Sequence, residues 1–231
     1  MSLFLILLAA GDGKRLKSKT PKPFNKVNNK SLLEHSLDRF KNFSEIKKNV
    51  IVYNKKHKRY LDKLKLKNTL KIIGGKTRQE STFNALKKIK KMNCKKVLIH
   101  DSARPNTPKK LIKKIICNLK KNDVVIPVIK IDDATKITKK NIVVNSLNRN
   151  NLKLAQTPQG FTFKRLYQKN YKNINITCDD DSTLFSRDNE KIFTINGSKN
   201  NLKITDGEDL NNFKILKRGK IYYGLGFDIH E

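Results

Sequence analysis

The sequence predicts an α/β protein with a Rossmann-like, mostly parallel sheet, helices on both faces and a protruding β-arm. Three observations carry that expectation. The strand-like runs are short and continuously apolar, as strands covered on both faces are. Amphipathic helical segments alternate with them in β-α-β-α order. Glycine-containing loops follow several of these runs, where ligands bind in such sheets.

Leu3–Ala10 is an apolar run ending at Gly11, and reads as the first strand. Ser31 opens a helix, with Glu34 three residues on as a capping box. Leu33, Ser36, Leu37 and Phe40 form its small apolar stripe. Asn49–Tyr53 is a second strand, and Lys56–Leu66 a basic helix with Tyr60, Leu61 and Leu64 inward. Leu70–Ile73 is a short strand running into Gly74 and Gly75. Thr77 and Glu80 suggest a second capping box, before a helix whose face is Phe83, Leu86 and Ile89. Val97–His100 is a strand. Thr107 is expected to cap a helix with Pro108 at its first position, and Leu111, Ile112, Ile115 and Leu119 as its buried stripe. Val124–Ile129 is again a continuous strand. Residues 131–156 break the alternation: Ile142–Leu147 and Leu152–Ala155 look like strands of a hairpin-like excursion. Helices follow near 163–170 and 181–187, then strands near 191–195 and 202–204. Thr205 and Glu208 suggest a third capping box, for a helix ending near Gly219.

The chain has 231 residues, 37% of them hydrophobic, so it can bury a real core and full disorder is excluded. Its 52 Lys and Arg against 20 Asp and Glu leave a net charge of +32. That charge first suggests nucleic acid or an anionic membrane. The excess is mostly Lys, in a chain also rich in Asn and Ile and without Trp, a composition that AT-biased coding produces by itself. Lysines fall on most of the expected helices, and no basic motif is interleaved with aromatics for stacking bases. The expectation is therefore no specific nucleic acid and no membrane. The run 3–10 is too short, and lacks the basic flank, for a signal peptide or a membrane span. Cys94, Cys117 and Cys178 show neither a disulfide framework nor C-x-x-C spacing, which fits a reduced, cytoplasmic setting.

Three loops gather chemistry at one sheet edge. Ala9-Ala10-Gly11-Asp12-Gly13-Lys14-Arg15-Leu16 lets backbone N–H groups approach an anion, with Arg15 and Lys22 adding charge suited to a polyphosphate. An ordinary βα turn with solvated lysines fits it too. A dinucleotide site would want a third glycine at Leu16 and an acid after the second strand, where Asn54 and Lys55 stand. Gly74-Gly75-Lys76-Thr77-Arg78-Gln79-Glu80-Ser81 repeats the pattern, or is merely a glycine turn and a cap. In His100-Asp101-Ser102-Ala103-Arg104-Pro105, Asp101 could bind a sugar hydroxyl or a metal, or pair with Arg104.

Together, Ala-Ala-Gly-x-Gly-x-Arg, Pro-Lys, Gly-Gly-x-x-Arg-Gln-x-Ser and His-Asp-x-Ala-Arg-Pro resemble the 2-C-methyl-D-erythritol 4-phosphate cytidylyltransferase family. Asn148-Arg149, Thr157-Pro158-Gln159, Asp179-Asp180 and Lys203-Ile204-Thr205 fall where its later motifs fall. The first loop is shared with many sugar nucleotidyltransferases; the third, together with Thr-Pro-Gln, is far more specific. The resemblance implies transfer of CMP from CTP to methylerythritol phosphate, with Mg²⁺ on the triphosphate. It implies that Arg15 and Lys22 stabilise the transition state. The backbone at Ala9, Ala10 and Gly11, with Gly75, Ser81 and Ser102, would hold CTP. Arg149, Lys203, Asp101 and Thr157 would hold the second substrate. It also implies a homodimer joined through the arm, 131–156. Lys76, Ala134 and Asn148 depart from the family pattern. Transfer to another polyol phosphate, such as ribitol phosphate, is the nearest alternative; a basic nucleic-acid-binding module is a more distant one.

Residues 1–218 are expected to form this domain, and 219–231 the beginning of another. Gly224-Leu225-Gly226-Phe227-Asp228-Ile229-His230 resembles the opening of 2-C-methyl-D-erythritol 2,4-cyclodiphosphate synthase. Asp228 and His230 alternate on one face and would ligate a divalent metal in a complete second domain. The sequence thus resembles the first part of a fusion of the two enzymes, without cyclase activity of its own.

Overall fold

The computed structural model describes residues 2–174 and 178–218; Asp228 and His230 lie outside the described residues. In chain order the elements are β1 (Leu3–Ala9), β2 (Lys26–Val27), β3 (Lys30–Ser31), α1 (Leu32–Asp38), β4 (Ile46–Tyr53), α2 (Lys58–Asp62), β5 (Thr69–Ile73) and α3 (Arg78–Ile89). Then come β6 (Lys96–Asp101), α4 (Lys109–Leu119), β7 (Val124–Lys130), β8 (Thr135–Lys139), β9 (Ile142–Leu147), β10 (Lys153–Ala155) and β11 (Gln159–Thr162). α5 (Phe163–Lys172), α6 (Thr183–Ser186), β12 (Phe193–Asn196) and α7 (Gly207–Lys217) complete the order.

The main sheet runs β10-β7-β11-β6-β1-β4-β5, with β12 also paired to β7. β1 is parallel to both β4 and β6, and β4 to β5. The chain therefore leaves β1 toward β4 and β5, then crosses back to place β6 on the other side of β1. That reversal opens a crevice beyond the carboxyl ends of β1 and β6.

Side-chain parity divides the core. Phe4 and Ile6 of β1, Val50 and Val52 of β4, and Val97 and Ile99 of β6 face one layer with Phe83, Leu86, Phe163 and Leu166. Leu3 and Leu5 face the other, against Leu111, Ile112, Ile115, Ile116 and Leu119 of α4, while Leu7 and Ile51 meet Leu33 and Leu61. Strands covered on both faces are apolar where they cross the core, as Leu3–Ala9, Val50–Val52 and Val97–Ile99 are.

The capping expectations resolve unevenly. Ser31 caps α1 with Glu34 as a complete box. Thr77 accepts from Glu80 N, but the Glu80 carboxylate turns to Lys76 N at 2.7 Å instead of completing a box. Pro108 is itself the cap residue of α4, and Thr107 Oγ1 is spent on Asn201 Oδ1 at 2.8 Å. At α7 the box is Asp206 with Asp209, one residue beyond the expected pair. The expected helix 56–66 is a 3-10 turn followed by a short α2. Residues 202–204 form no strand, and 153–155 belong to the main sheet's edge, not to the hairpin. The arm is the β8–β9 ribbon, with its own antiparallel pairing. No helix among the described residues is long and apolar enough to cross a membrane.

Candidate active site

The first wall of the crevice follows β1. Gly13 has φ +67°, and a Cβ there would lie 2.4 Å from Lys22 Cβ, so the loop closes against Lys22 only because residue 13 is glycine. Lys22 starts a 3-10 turn between Pro21 and Pro23, and the turn is anchored by Phe24, which is buried and stacked on Tyr60. Its backbone is thus rigid at the point where its ammonium enters the cleft. Lys22 Nζ donates to Ile204 O at 3.2 Å. Burial, then Lys203 and Arg15, lowers the pKa of Lys22 from the usual lysine range. Three cations crowded together in this way are relieved by an anion.

The second wall is the Gly74–Ser81 loop. A Cβ on Gly74 would meet Ala10 Cβ at 2.6 Å and Ser81 Oγ at 2.8 Å, so this glycine lets the two loops approach. Ser81 Oγ donates to Thr77 O at 2.9 Å and accepts from Gly75 N at 3.1 Å, bracing the turn.

The third wall is built on His100, which is fully buried and has its pKa pushed down to about 4, chiefly by that burial. The imidazole is neutral, and its neighbours fix the tautomer. Nε2–H donates to Arg104 O at 3.2 Å, so Nδ1 accepts from Thr157 Oγ1 at 3.0 Å. Thr157 Oγ1 in turn accepts from Asp101 N at 3.1 Å. Asn201 ties the next segment to the same frame: Arg104 Nη1 donates to its carbonyl at 2.6 Å, and its amide donates to Thr157 O at 2.8 Å. This frame delivers Lys203, whose Nζ lies 2.8 Å from Asp101 Oδ2. Arg78 Nε lies 3.5 Å from Asp101 Oδ1. Burial opposes the Asp101 charge, but Arg78 and then Lys203 outweigh it and hold the carboxyl well below the ordinary range.

The three walls enclose a cleft of about 250 Å³. Of the residues expected in the site, Ala9, Ala10, Gly11, Lys22, Gly75, Ser81, Asp101, Ser102 and Lys203 line it together. Thr157 sits behind the lining as a buried brace of Asp101. Arg15 is exposed on the turn after Gly13, close enough to act on Lys22. Arg149 is exposed beyond the end of β9 and donates to Asp132 O, away from this cleft's lining. Asp101 pairs with Arg78 and Lys203 rather than with Arg104. Arg78, in the second loop, is engaged with the carboxylates of Asp101 and Asp181. Asn201 and Asp181 carried no signal in the sequence, since their partners lie about a hundred residues away. No group of three His, Cys, Asp or Glu among the described residues could hold a metal ion. Asp101, the carboxylate lining the cleft, is already doubly paired. The lining therefore offers a divalent ion no free carboxylate, and a polyanionic ligand would have to supply its oxygens.

Glycine loops, a fixed lysine and an acid–base pair meet at the switch point of this sheet. The sequence model of the 2-C-methyl-D-erythritol 4-phosphate cytidylyltransferase family matches residues 3–217, and the chain belongs to that family. It is 46% identical over 231 residues to the bifunctional enzyme IspD/IspF of Pelagibacter ubique, covering all of this chain and 60% of that protein. It is 35% identical to the 2-C-methyl-D-erythritol 4-phosphate cytidylyltransferase of Clostridioides difficile, covering 90% of each. The crystal structure of 4-diphosphocytidyl-2C-methyl-D-erythritol synthase from Anaerococcus prevotii superposes with a TM-score of 0.79 at 31% identity, over 94% of this chain and 98% of that one. The bifunctional IspDF of Campylobacter jejuni gives 0.79 at 33% identity, over 91% of this chain and 54% of that one. The chain thus spans a little over half the length of the bifunctional relatives it matches.

Proposed function

We propose that this protein transfers the cytidylyl group of CTP to 2-C-methyl-D-erythritol 4-phosphate, a step of non-mevalonate isoprenoid biosynthesis, releasing pyrophosphate. The observation that carries the reading is the single cleft in which the glycine loops and Lys22 meet the Asp101–Lys203 pair. An oxygen of the acceptor phosphate attacks the α-phosphorus of CTP, and the bond from that phosphorus to the bridging oxygen breaks in line. Pyrophosphate takes the electron pair. The protein's part is to align the two substrates and to meet the growing charge on the phosphoryl oxygens. Lys22 and Arg15 do the latter, as a pre-positioned point charge and a guanidinium fork. The backbone at Ala9, Ala10 and Gly11, with Gly75, Ser81 and Ser102, holds the nucleotide, which arrives with Mg²⁺. Lys203 takes the acceptor phosphate and Asp101 its hydroxyls.

The protein works as a homodimer on this reading. Ile137, Ile142, Val143, Val144 and Leu147 of the β8–β9 ribbon are exposed, and a two-stranded ribbon is marginal without cover. A second copy supplies that cover and brings Arg149 to the partner's acceptor phosphate. Residues 219–231 begin a second, cyclodiphosphate synthase domain, in which Asp228 and His230 are metal ligands. Three free cysteines suit a reducing cytoplasm. The test is pyrophosphate release from CTP and methylerythritol phosphate, with and without Mg²⁺. Release with ribitol phosphate in its place would redirect the acceptor assignment. Tight DNA binding at physiological salt without pyrophosphate release would overturn the reading.

A further inference from the structure

The cleft's acceptor end continues into the interior as a chain of alternating charges. Lys203 meets Asp101, Asp101 meets Arg78, and Arg78 Nη1 lies 2.5 Å from Asp181 Oδ2. Asp181 is 1% exposed and does not itself line the cleft; it reaches the lining only through Arg78. Its position is set from outside the site. The neighbouring Asp180 carboxylate accepts from Thr183 N at 3.1 Å and Ser182 Oγ at 2.7 Å at the start of α6. The same carboxylate accepts from Gln159 Nε2 at 2.9 Å, which ties the segment to β11. The second Asp181 oxygen, Oδ1, has no hydrogen-bond partner among the described residues. Arg78 is therefore the strong partner of this carboxylate. Burial works against the charges of both residues. A buried ion pair of this kind seldom adds net stability over an apolar pair, so its value lies in holding a geometry.

We propose that Asp181 is a positioning residue for the acceptor substrate, acting through Arg78 to fix the Asp101 carboxylate against Lys203. The guanidinium is a rigid fork, and Asp181 on Nη1 sets the orientation in which Nε faces Asp101. Without Asp181, Arg78 turns fully onto Asp101, and the carboxylate is drawn away from the position at which it meets the acceptor's hydroxyls. The inference rests on the assignment of Asp101 and Lys203 to the acceptor.

The experiment is steady-state pyrophosphate release by wild type, Asp181→Ala and Asp181→Asn, varying CTP and methylerythritol phosphate separately, with thermal melts of each protein. Asp181→Ala should raise the acceptor KM about tenfold or more, the scale of an ångström-sized misplacement, with the CTP KM within about twofold of wild type. Asp181→Asn keeps an oxygen for Arg78 and should fall between the two. It carries the same test if the alanine variant does not fold. An acceptor KM unchanged in a folded variant, or both KM values rising in parallel, would overturn the proposal. If wild type itself shows no turnover with methylerythritol phosphate, the acceptor assignment fails and this inference fails with it. Normal wild-type turnover beside an indifferent Asp181 variant removes the inference alone.

Discussion

Lys203 and Asp101 face each other across 2.8 Å at the mouth of the cleft, although 102 positions separate them in the chain. Each is assigned to a different part of one substrate: the lysine to its phosphate, the acid to its hydroxyls. Lys203→Met removes a cation while keeping the length of the stem. The expected result is a rise in the KM for methylerythritol phosphate of about tenfold or more, with the CTP KM little changed. Initial-rate kinetics with each substrate varied in turn check it. Equal effects on both substrates would place Lys203 on the triphosphate instead.

Lys22 is assigned to the reacting phosphorus. Lys22→Ala should lower kcat by about 100-fold or more, as loss of a transition-state charge contact does. Pyrophosphate release at saturating substrates measures it, and an unchanged kcat would reduce Lys22 to a structural tether of Ile204.

His100 makes stability depend on pH. Its native pKa of about 4 lies below the ordinary value of 6.5, so between these values the unfolded chain binds the proton and the native chain does not. The stabilisation is complete above about pH 6.5 and is lost as pH falls toward 4, by up to about 3 kcal/mol for this group. Denaturant midpoints of wild type should therefore decline over that window. His100→Asn, which does not titrate, should be less stable at pH 7 and should show a shallower decline. Parallel curves would place the titration elsewhere.

The arm's apolar face gives a separate test. Val143→Asp puts a charge on a residue that is 55% exposed in the single chain. Folding of the domain should be unaffected, while light scattering should show a shift from dimer toward monomer. Pyrophosphate release should fall with it, because Arg149 then lacks a partner's cleft to enter. A variant that stays dimeric would remove the arm from the interface.

The central strands were legible because burial on both faces leaves no room for a polar position. Leu3–Ala9 and Val124–Ile129 carry that signature outright. β11 was not legible: Pro158 and Gly160 interrupt any strand pattern, and its place between β6 and β7 is set by pairing to residues far away in sequence. β8 escaped for the opposite reason, since Thr135–Lys139 projects into solvent and reads as polar loop. The three loops of the site were legible as motifs, because glycine and charge cluster there locally. The frame that holds them was not. His100 and Thr157 stand in recognisable motifs, but that they join Asn201 as one frame shows only when the fold has brought them together.

That frame also sets an order in time. Lys22 leans on the carbonyl of Ile204, 182 positions later, and Arg104 on that of Asn201, 97 later. During synthesis the phosphate-facing loops can form as soon as β1, β4, β5 and β6 have paired. The Asp101–Lys203 side must wait for a segment made about a hundred residues after Asp101 and with no ladder of its own to hold it. A nascent chain halted before residue 203 would carry the glycine loops and Lys22 without the cation that faces Asp101.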